Sequence, residues 1–426
     1  MTIRAITVLR DLRRWAVGHA ALLLFCSLAA HVLTVAVTRP DMLDLRVYWT
    51  AAPRVLNGQL YDFRLFTSGS FPALPFTYPP FAALLFLPVS ALPWAVAACL
   101  WQAVSVAALA VIVGCAGRLL PGGRLGRERI MLWAGGALWL EPVRHTLDLG
   151  QVNLILGALV LWGLTAARES VSRGAAVGVA AGVKLTPGIS GAYLLLTRQW
   201  RAAAWAAGVF LGTVALAWAL TARESSRYWR TLVVDPDRVG RVSSVRNQSL
   251  RGALSRSLGQ DAGFGPVWLA AALALAALAG WALWAAARRR DPLAVLVTVQ
   301  LTGLVLCPIS WSHHWVWCLP AMIWLAHGPG RRSLPSRMAL GAWAVVTAAR
   351  VVPRLTRLQE GLGAGSGVPA GGGFPAHLAL LGWVYVLCSV LTLLAVGAAT
   401  ADEPVPAPAA PPSPAPPSGG ADPTEA

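Results

Sequence analysis

The stretch HAALLLFCSLAAHVLTVAVTRPDMLDLRVYW, residues 19–49, joins a long apolar run to a short segment that carries two carboxylates. About 20 apolar residues are enough for a helix to cross the hydrocarbon core of a bilayer. Asp41 and Asp44 therefore follow directly where the predicted helix leaves the membrane, and Tyr48 and Trp49 come four and five residues after Asp44. We interpret the run as a retained signal anchor, because it is too long for a cleaved signal peptide and lacks a clear cleavage site.

The whole chain has the composition of a membrane protein. Of its 426 residues, 56% are hydrophobic and only 12% are charged, and the mean hydropathy is +0.60. Soluble domains carry about 25% charged residues. The net charge of +17 does not indicate nucleic-acid binding, because the arginines stand in short clusters between apolar runs, as in loops at a membrane surface. The six cysteines stand alone and predict small buried side chains, with a Cys307–Cys318 disulfide as the alternative.

Hydropathy predicts an all-α polytopic membrane protein with about twelve transmembrane or re-entrant helices. The fifth and sixth segments are too short to cross alone, so we interpret them as a broken or re-entrant pair buried in protein. The predicted segments are 16–37, 93–117, 129–142, 152–168, 173–184, 187–198, 202–221, 266–287, 292–308, 314–327, 337–352 and 377–399. Residues 1–400 form the predicted membrane domain, and the proline-rich residues 401–426 form a predicted disordered tail.

The arginines predict which side of the membrane each loop faces. Short cytoplasmic loops are enriched in positive residues. With both termini in the cytoplasm, six arginine clusters fall on that side, beginning at Arg4, Arg118, Arg168, Arg198, Arg288 and Arg331. The long segments 38–92, 222–265 and 353–376 then face outward, together with the polar motifs that are not arginine clusters. Polar and ionisable groups held at a membrane rim indicate a functional site, which we therefore expect on the extracytoplasmic side.

Lys184 is the only lysine among the 35 lysine and arginine residues of the chain. A lysine that persists where arginine is used everywhere else indicates a need for a compact ammonium, which suits a phosphate group. The alternative is a side chain that only extends towards the membrane interface.

Three further outward-facing motifs carry candidate binding residues. Pro75, Pro79 and Pro80 forbid a regular helix through residues 74–88, and the apolar residues after them predict an interfacial or re-entrant helix. In the segment 246–252, arginines could hold phosphate and amides could bind hydroxyl groups, with a solvated loop as the alternative. The adjacent His313 and His314 favour hydrogen bonds to phosphate or sugar over a metal site, because neighbouring side chains diverge by about 100° on a helix.

Six motifs, in this order, resemble the actinobacterial membrane glycosyltransferases of family 87. They are DLRVYW (44–49), LPFTYPPFAALLFLP (74–88), LGQVN (149–153), GVKLTP (182–187), RNQSLRG (246–252) and SWSHHW (310–315). The resemblance covers about residues 10 to 400. It implies a GT-C type fold, in which the catalytic Asp lies in the first extracytoplasmic loop. That role falls to Asp44, since Asp41 lacks a Tyr four residues later.

The resemblance implies a membrane enzyme that moves a sugar, expected to be mannose, from a polyprenyl-phosphate donor to a hydroxyl of a lipid-linked glycan of the phosphatidylinositol mannoside or lipomannan type. Asp44 would act as the general base, and the product would be α-linked, with inversion at the anomeric carbon. No cofactor and no metal is implied. The expected donor-phosphate ligands are Lys184, Arg246, His313 and His314. The expected sugar and acceptor ligands are Tyr48, Tyr78, Gln151, Asn153, Asn247 and Gln248.

Two other functions stay open on the sequence. An arabinofuranosyltransferase would use a polyprenyl-phosphate arabinose donor through the same chemistry. A lipid or sugar transporter is the alternative from another class, although transporters commonly show repeats and midplane polar sites, whereas these polar motifs lie at one surface.

Overall fold

The computed structural model describes residues 3–66, 73–123, 125–235, 237–365 and 376–399. The predicted tail at 401–426 lies outside the described residues. The described chain is almost entirely helical, as the sequence predicts. Its only paired strands are β1 (Arg64–Leu65) and β2 (Leu74–Pro75), which form a short antiparallel hairpin among the described residues. The helices are α1 (Ile3–Gly18), α2 (Ala20–Thr38), α3 (Leu43–Ala51), α4 (Pro80–Ser90), α5 (Trp94–Leu119), α6 (Arg127–Ala137), α7 (Glu141–Leu149), α8 (Asn153–Thr165), α9 (Val171–Val183), α10 (Ser190–Leu196), α11 (Trp200–Leu220), α12 (Ala222–Arg230), α13 (Leu250–Leu258), α14 (Pro266–Arg288), α15 (Pro292–Leu306), α16 (Cys318–His327), α17 (Leu334–Ala348), α18 (Val351–Gly365), α19 (Ala376–Leu381) and α20 (Val384–Ala398).

Fewer helices could cross a membrane alone than the twelve predicted apolar segments suggest. By length and composition, four described helices qualify: α2, α5, α11 and α14. Two bent pairs raise the number to six if each pair is one span, namely α7 with α8 and α17 with the first part of α18. The shortfall arises because several predicted segments are shorter or interrupted as helices. For example, the predicted segment 129–142 ends as a helix at Ala137, and a new helix begins at Glu141 with Pro142 in its first turn.

Burial separates inner helices from outer ones. In α15, 11 of the 15 side chains are buried, from Leu293 to Val305. In α2, by contrast, only Ala20 and His31 are buried, and Leu33 is 65% exposed. A helix that is apolar on all sides but exposed on most of them is suited to contact lipid rather than water. All six cysteines are free thiols, so the alternative of a Cys307–Cys318 disulfide is wrong.

Close packing of α9 against α11 fixes the chain that leads to Lys184. Gly174, Gly178 and Gly182 recur every four residues along one face of α9. A Cβ atom on any of them would overlap an atom of α11, for example the carbonyl oxygen of Ala206. Such small-residue stripes let two helix backbones approach closely in membrane proteins. The end of α9, and with it Lys184, is thereby held on a rigid pair of helices.

A sharp break between α7 and α8 brings the site together. The two helices meet at an angle of 117°, and Gly150 ends α7 in the left-handed conformation with φ of 66°. Gln151 stands in the break and Asn153 begins α8. Polar backbone and side-chain groups in such a break are tolerated at membrane depth only where they are buried in protein or face a cavity.

Candidate active site

Asp44 lies in the first turn of α3, outside the helices that could span a membrane. Its Oδ2 accepts a hydrogen bond of 3.1 Å from Nε2 of Gln151. Burial raises the pKa of the Asp44 carboxyl to about 6, although the positive charge of Lys184 and the Gln151 hydrogen bond act in the opposite direction. A carboxylate with such a pKa is unprotonated at neutral pH and is still basic enough to accept a proton.

The amide of Gln151 is held in one orientation. Its Oε1 accepts hydrogen bonds from the Tyr78 hydroxyl at 2.9 Å and from the backbone N–H of Val152 at 3.0 Å. The amide NH₂ must therefore face Asp44. The Tyr48 and Tyr78 hydroxyls are 3.0 Å apart, and the Tyr61 hydroxyl donates to the carbonyl of Tyr78 at 2.7 Å. This network fixes the Gln151 amide, which in turn orients the Asp44 carboxylate through its hydrogen bond.

Lys184 is buried, with an exposed fraction of 5%. Its ammonium donates to Oδ1 of Asn153 at 2.8 Å and lies 3.1 Å from Nε2 of His314. It also lies 5.1 Å from the centroid of the Tyr78 ring. Burial lowers the pKa of Lys184 to about 7, and the negative charge of Asp44 acts in the opposite direction and favours the ammonium. A buried ammonium held by neutral groups is a strong anion-binding group, because the low dielectric strengthens its field.

Three histidines lie beside Lys184. The rings of His145 and His313 are 5.3 Å apart between centroids, and those of His313 and His314 are 4.7 Å apart. Both ring nitrogens of His313 and Nδ1 of His314 are buried without a hydrogen-bond partner among the described residues. Buried polar atoms are almost always hydrogen-bonded in native proteins, so these nitrogens indicate a place for a polar ligand.

His145 and Glu141 also belong to the site, although the sequence motifs predict no individual role for them. His145 Nδ1 lies 2.7 Å from the hydroxyl of Ser312 and 3.6 Å from Oε1 of Glu141. The other carboxylate oxygen of Glu141, Oε2, accepts a hydrogen bond from the Tyr385 hydroxyl. The i,i+4 spacing of Glu141 and His145 in EPVRHTLDLGQVN puts them on one helix face, which was the available signal. Together they connect α7 to the turn that carries His313.

The structure does not bring Asn247 and Gln248 to the site, and their predicted contact with sugar needs correction. Both side chains are fully buried. The Asn247 amide bonds to the backbone of Val242, Pro308, Ser249 and Ser310, and the Gln248 amide bonds to the backbone of Val245 and Tyr385. In both amides the oxygen and the nitrogen already bond to the protein backbone. The segment 246–248 instead pairs with residues 310–312 and so positions the histidines.

Arg246 is near the histidines but faces another partner. Its Nη2 donates to Oε1 of Glu360 at 2.9 Å, and its carbonyl accepts from the backbone N–H of Ser312. Its positive charge interacts electrostatically with the His313 ring. A role in holding phosphate therefore stays a prediction for Arg246, with weaker geometric support than for Lys184. The described residues contain no group of three or more side chains suited to hold a metal ion.

Gly150 is the position at which a single methyl group should disturb the site most directly. A Cβ there would lie 2.6 Å from Cβ of Leu45, next to Asp44, and the φ of 66° disfavours any side chain. We expect Gly150→Ala to displace α3 from Gln151 and to lower turnover by about tenfold or more, since small misplacements cost that much. Gly136→Ala, where nothing lies within 4 Å, is the control. Equal turnover in both variants at equal expression would contradict this account of the break.

Comparison with known proteins identifies a family for the chain. The profile described as glycosyltransferase family 87 matches residues 76–310. Asp44, His313 and His314 lie outside that range.

Two groups of curated relatives match most of the chain. A polyprenol-phosphate-mannose-dependent alpha-(1-2)-phosphatidylinositol pentamannoside mannosyltransferase of Mycobacterium tuberculosis (strain CDC 1551 / Oshkosh) is 42% identical over 89% of this chain and 87% of its own. A protein of the same description from Mycolicibacterium smegmatis is 40% identical, over 83% of this chain and 84% of its own. A polyprenol-phosphate-mannose-dependent alpha-(1-2)-phosphatidylinositol mannoside mannosyltransferase of Mycobacterium tuberculosis (strain ATCC 25618 / H37Rv) is 34% identical, over 67% and 70%. No solved structure matches the chain.

Proposed function

The chain belongs to glycosyltransferase family 87, and from this premise we propose that it transfers mannose from polyprenyl-phosphate mannose to a phosphatidylinositol mannoside, forming an α-(1→2) linkage. The donor, acceptor and linkage follow the relatives' descriptions. One observation of the structure carries the proposal. A carboxylate and a buried ammonium, Asp44 and Lys184, face one another electrostatically across neutral hydrogen-bonding groups. A transferase that removes a proton and releases a phosphate needs this pair of charges.

Asp44 is the proposed general base. In the reaction, the acceptor hydroxyl oxygen forms a bond to the anomeric carbon and its proton passes to Asp44. The bond between the anomeric carbon and the donor phosphate oxygen breaks, and the electron pair leaves with the lipid phosphate. The fixed NH₂ of Gln151 keeps one oxygen of the carboxylate occupied and so directs the other oxygen to the acceptor.

Lys184 is the proposed ligand of the leaving phosphate, with His313 and His314 beside it. Negative charge builds on the phosphate as the glycosidic bond breaks, and a preorganised cation stabilises that charge without reorganising at the moment of reaction. The unpartnered nitrogens of the two histidines are available for phosphate or sugar oxygens. Tyr48, Tyr78 and Asn153 border this space. We propose that these three residues and Gln151 contact the sugar or shape its pocket.

We further propose a single displacement with inversion. A double displacement needs a second carboxylate beside the first, as in retaining glycosidases, where the two groups are about 5 Å apart. The nearby acids of α7 are engaged elsewhere. Asp148 pairs with Arg144 at 3.0 Å, and Glu141 contacts Tyr385 and His145. This leaves Asp44 as the carboxylate directed to substrate. A β-linked donor then gives an α-linked product.

We propose a GT-C architecture in which residues 1–400 form one membrane domain, with Asp44 extracytoplasmic and both termini cytoplasmic. The shorter apolar helices α4, α9, α15 and α20 would complete the membrane domain as partial or re-entrant segments beside the longer spans. The positive-inside distribution of arginines supports this orientation.

Cysteine labelling tests this topology. In a background with Cys26 and Cys99 changed to Ser, we expect Gln260→Cys, after α13, to react with an impermeant maleimide in intact cells. Ala167→Cys, between α8 and α9, should react only after permeabilisation. Both positions are exposed to solvent or lipid headgroups. Labelling of both from outside would contradict the proposed orientation.

Transfer of labelled sugar by the purified protein tests the function. With polyprenyl-phosphate [¹⁴C]mannose and phosphatidylinositol mannosides, we expect a labelled glycolipid that an α-(1→2)-specific mannosidase degrades. Polyprenyl-phosphate arabinose should give no product. A labelled arabinosyl product would favour the arabinofuranosyltransferase. Movement of the donor across proteoliposomes without a new glycosidic bond would favour a transporter.

A further inference from the structure

A polar cavity of about 510 Å³ lies away from the site around Asp44. Its wall is formed by the turn between α5 and α6 with the first turn of α6, and by the end of α16 with the turn that follows it. The polar side chains of this wall are Arg129, His327, Arg331 and Arg332, and Gly122 and Gly123 form part of its rim. We refer to it as the arginine cavity.

The arginine cavity lies at the opposite end of α5 from the proposed active site. Near the active site, Gln102 of α5 donates to the carbonyl of Leu147, which is in α7. The cavity wall begins at Leu120, directly after α5 ends. At 1.5 Å per residue, about 26 Å of helix separates Gln102 from Leu119. A group bound in the cavity therefore cannot be the reacting donor or acceptor.

The chemistry of the wall favours a phosphate group. Three guanidinium groups border one cavity, and guanidinium matches phosphate oxygens with paired, charge-assisted hydrogen bonds. Nε2 of His327 accepts a hydrogen bond of 2.8 Å from the Trp133 indole. This leaves the proton of the neutral ring on Nδ1.

The depth of the cavity suits a lipid headgroup. α5 is one of the four helices long and apolar enough to cross a membrane, and the cavity starts within one residue of its end. The end of such a helix lies where the hydrocarbon core gives way to headgroups. We propose that the arginine cavity is a binding site for a phosphate-bearing anion, taken from an anionic phospholipid of the leaflet opposite to the catalytic side.

The test compares the full-length protein with two triple variants. Arg129→Gln/Arg331→Gln/Arg332→Gln removes the guanidinium groups of the cavity. Arg168→Gln/Arg198→Gln/Arg201→Gln removes three charges from other predicted cytoplasmic turns and serves as the control. Each protein is reconstituted in nanodiscs of phosphatidylcholine with a minority of phosphatidylglycerol. Retained lipids are then counted by native mass spectrometry. In a second arm, thermal unfolding is followed with inorganic phosphate or with chloride at equal ionic strength.

We expect the wild type and the control to retain one more phosphatidylglycerol than the cavity variant, whose affinity should fall by about tenfold or more. A different outcome is that inorganic phosphate stabilises the wild type but not the cavity variant, while all proteins retain the same number of phosphatidylglycerol molecules. That outcome would support a phosphate site but would assign it to a soluble phosphate. If the cavity variant matches the control in both arms, the proposal is overturned. Single Arg129→Gln provides a milder variant, and equal unfolding temperatures in chloride show that the variants are folded.

Discussion

Asp44→Asn is expected to lower the turnover of mannosyl transfer by about 10³-fold, because a general base contributes about 10²–10⁴-fold and the amide that replaces the carboxylate is not basic. Asparagine keeps the size of the side chain, and its Oδ1 can still accept from Gln151. Expression, membrane insertion and thermal stability should therefore be close to wild type. Steady-state transfer of labelled mannose measures the effect, with product formation followed over long incubations.

Asp41→Asn is the matched control for this change. Asp41 is exposed, and the side chain of Arg46 bonds to its backbone carbonyl rather than to its carboxylate. Removing the Asp41 charge should therefore change turnover by less than about twofold, as surface substitutions usually do. If Asp44→Asn keeps near-normal turnover, Asp44 is not the base. If both variants lose activity equally, a general loss of negative charge at the surface explains the effect.

The pH dependence of transfer should show the Asp44 titration. Burial raises the pKa of this carboxyl to about 6. The base is active only when it is unprotonated, so kcat/KM should fall about tenfold per unit well below pH 6. Burial lowers the pKa of the Lys184 ammonium to about 7, so kcat/KM should also decline well above pH 7 as that charge is lost. A profile flat down to pH 4.5 would contradict the assignment of a buried carboxylate as base.

The sequence predicts the helical class and the location of most helices, because membrane helices depend on composition more than on long-range contacts. It predicts about twelve transmembrane or re-entrant helices, whereas by length and composition four described helices, or six with the bent pairs, could cross a membrane. The apolar run 152–168 predicts a helix but not the sharp bend that precedes it. In the structure, α8 is one arm of a bent pair. The hairpin of β1 and β2 was not predicted, because two-residue strands leave no periodic signal.

Within the site, the sequence identifies the residues that stand in polar motifs but not the direction of their side chains. Asp44, Gln151 and Lys184 lie together in the structure, and their roles stay predictions. Asn247 and Gln248 belong to the same kind of motif, yet both amides form hydrogen bonds with backbone groups of residues 242–249, 308–310 and 385. Whether an amide faces substrate or backbone depends on tertiary contacts between segments about 60 or more residues apart in sequence. Hydropathy and motif spacing contain no information on such contacts.

Lys184→Ala is the second change for which a large effect is expected. If the ammonium holds the donor phosphate, its loss should raise the KM for polyprenyl-phosphate mannose and lower turnover. A charge-assisted contact is worth about 1.5–3 kcal/mol, which corresponds to one to two orders of magnitude in kcat/KM. Kinetics with the donor varied at fixed acceptor separate this result from a loss of folded protein.

Lys184→Arg and Lys184→Gln show whether the compact charge matters. The ammonium stands between Asn153, His314 and the ring of Tyr78, and the side chain is 5% exposed. A planar guanidinium is larger and has little room there, so Arg should recover only part of the lost activity. Gln can donate to Asn153 but carries no charge, so it should resemble Ala. Full activity of the arginine variant would show that a compact ammonium is not required.

Lys184 also lowers the pKa of Asp44, and the acidic limb of kcat/KM reports this effect. A purely structural role of Lys184 would leave that limb unchanged. The positive charge of Lys184 lowers the pKa of the Asp44 carboxyl against the effect of burial. Without that charge, in Lys184→Ala and Lys184→Gln, the pKa of Asp44 should rise above about 6, and the acidic limb of kcat/KM should move to higher pH. In Lys184→Arg the charge remains, so the limb should stay closer to its wild-type position even where donor affinity is reduced. If all three variants keep the wild-type limb while donor KM rises, Lys184 holds phosphate but does not set the basicity of Asp44. If neither quantity changes, the lysine has no part in the reaction.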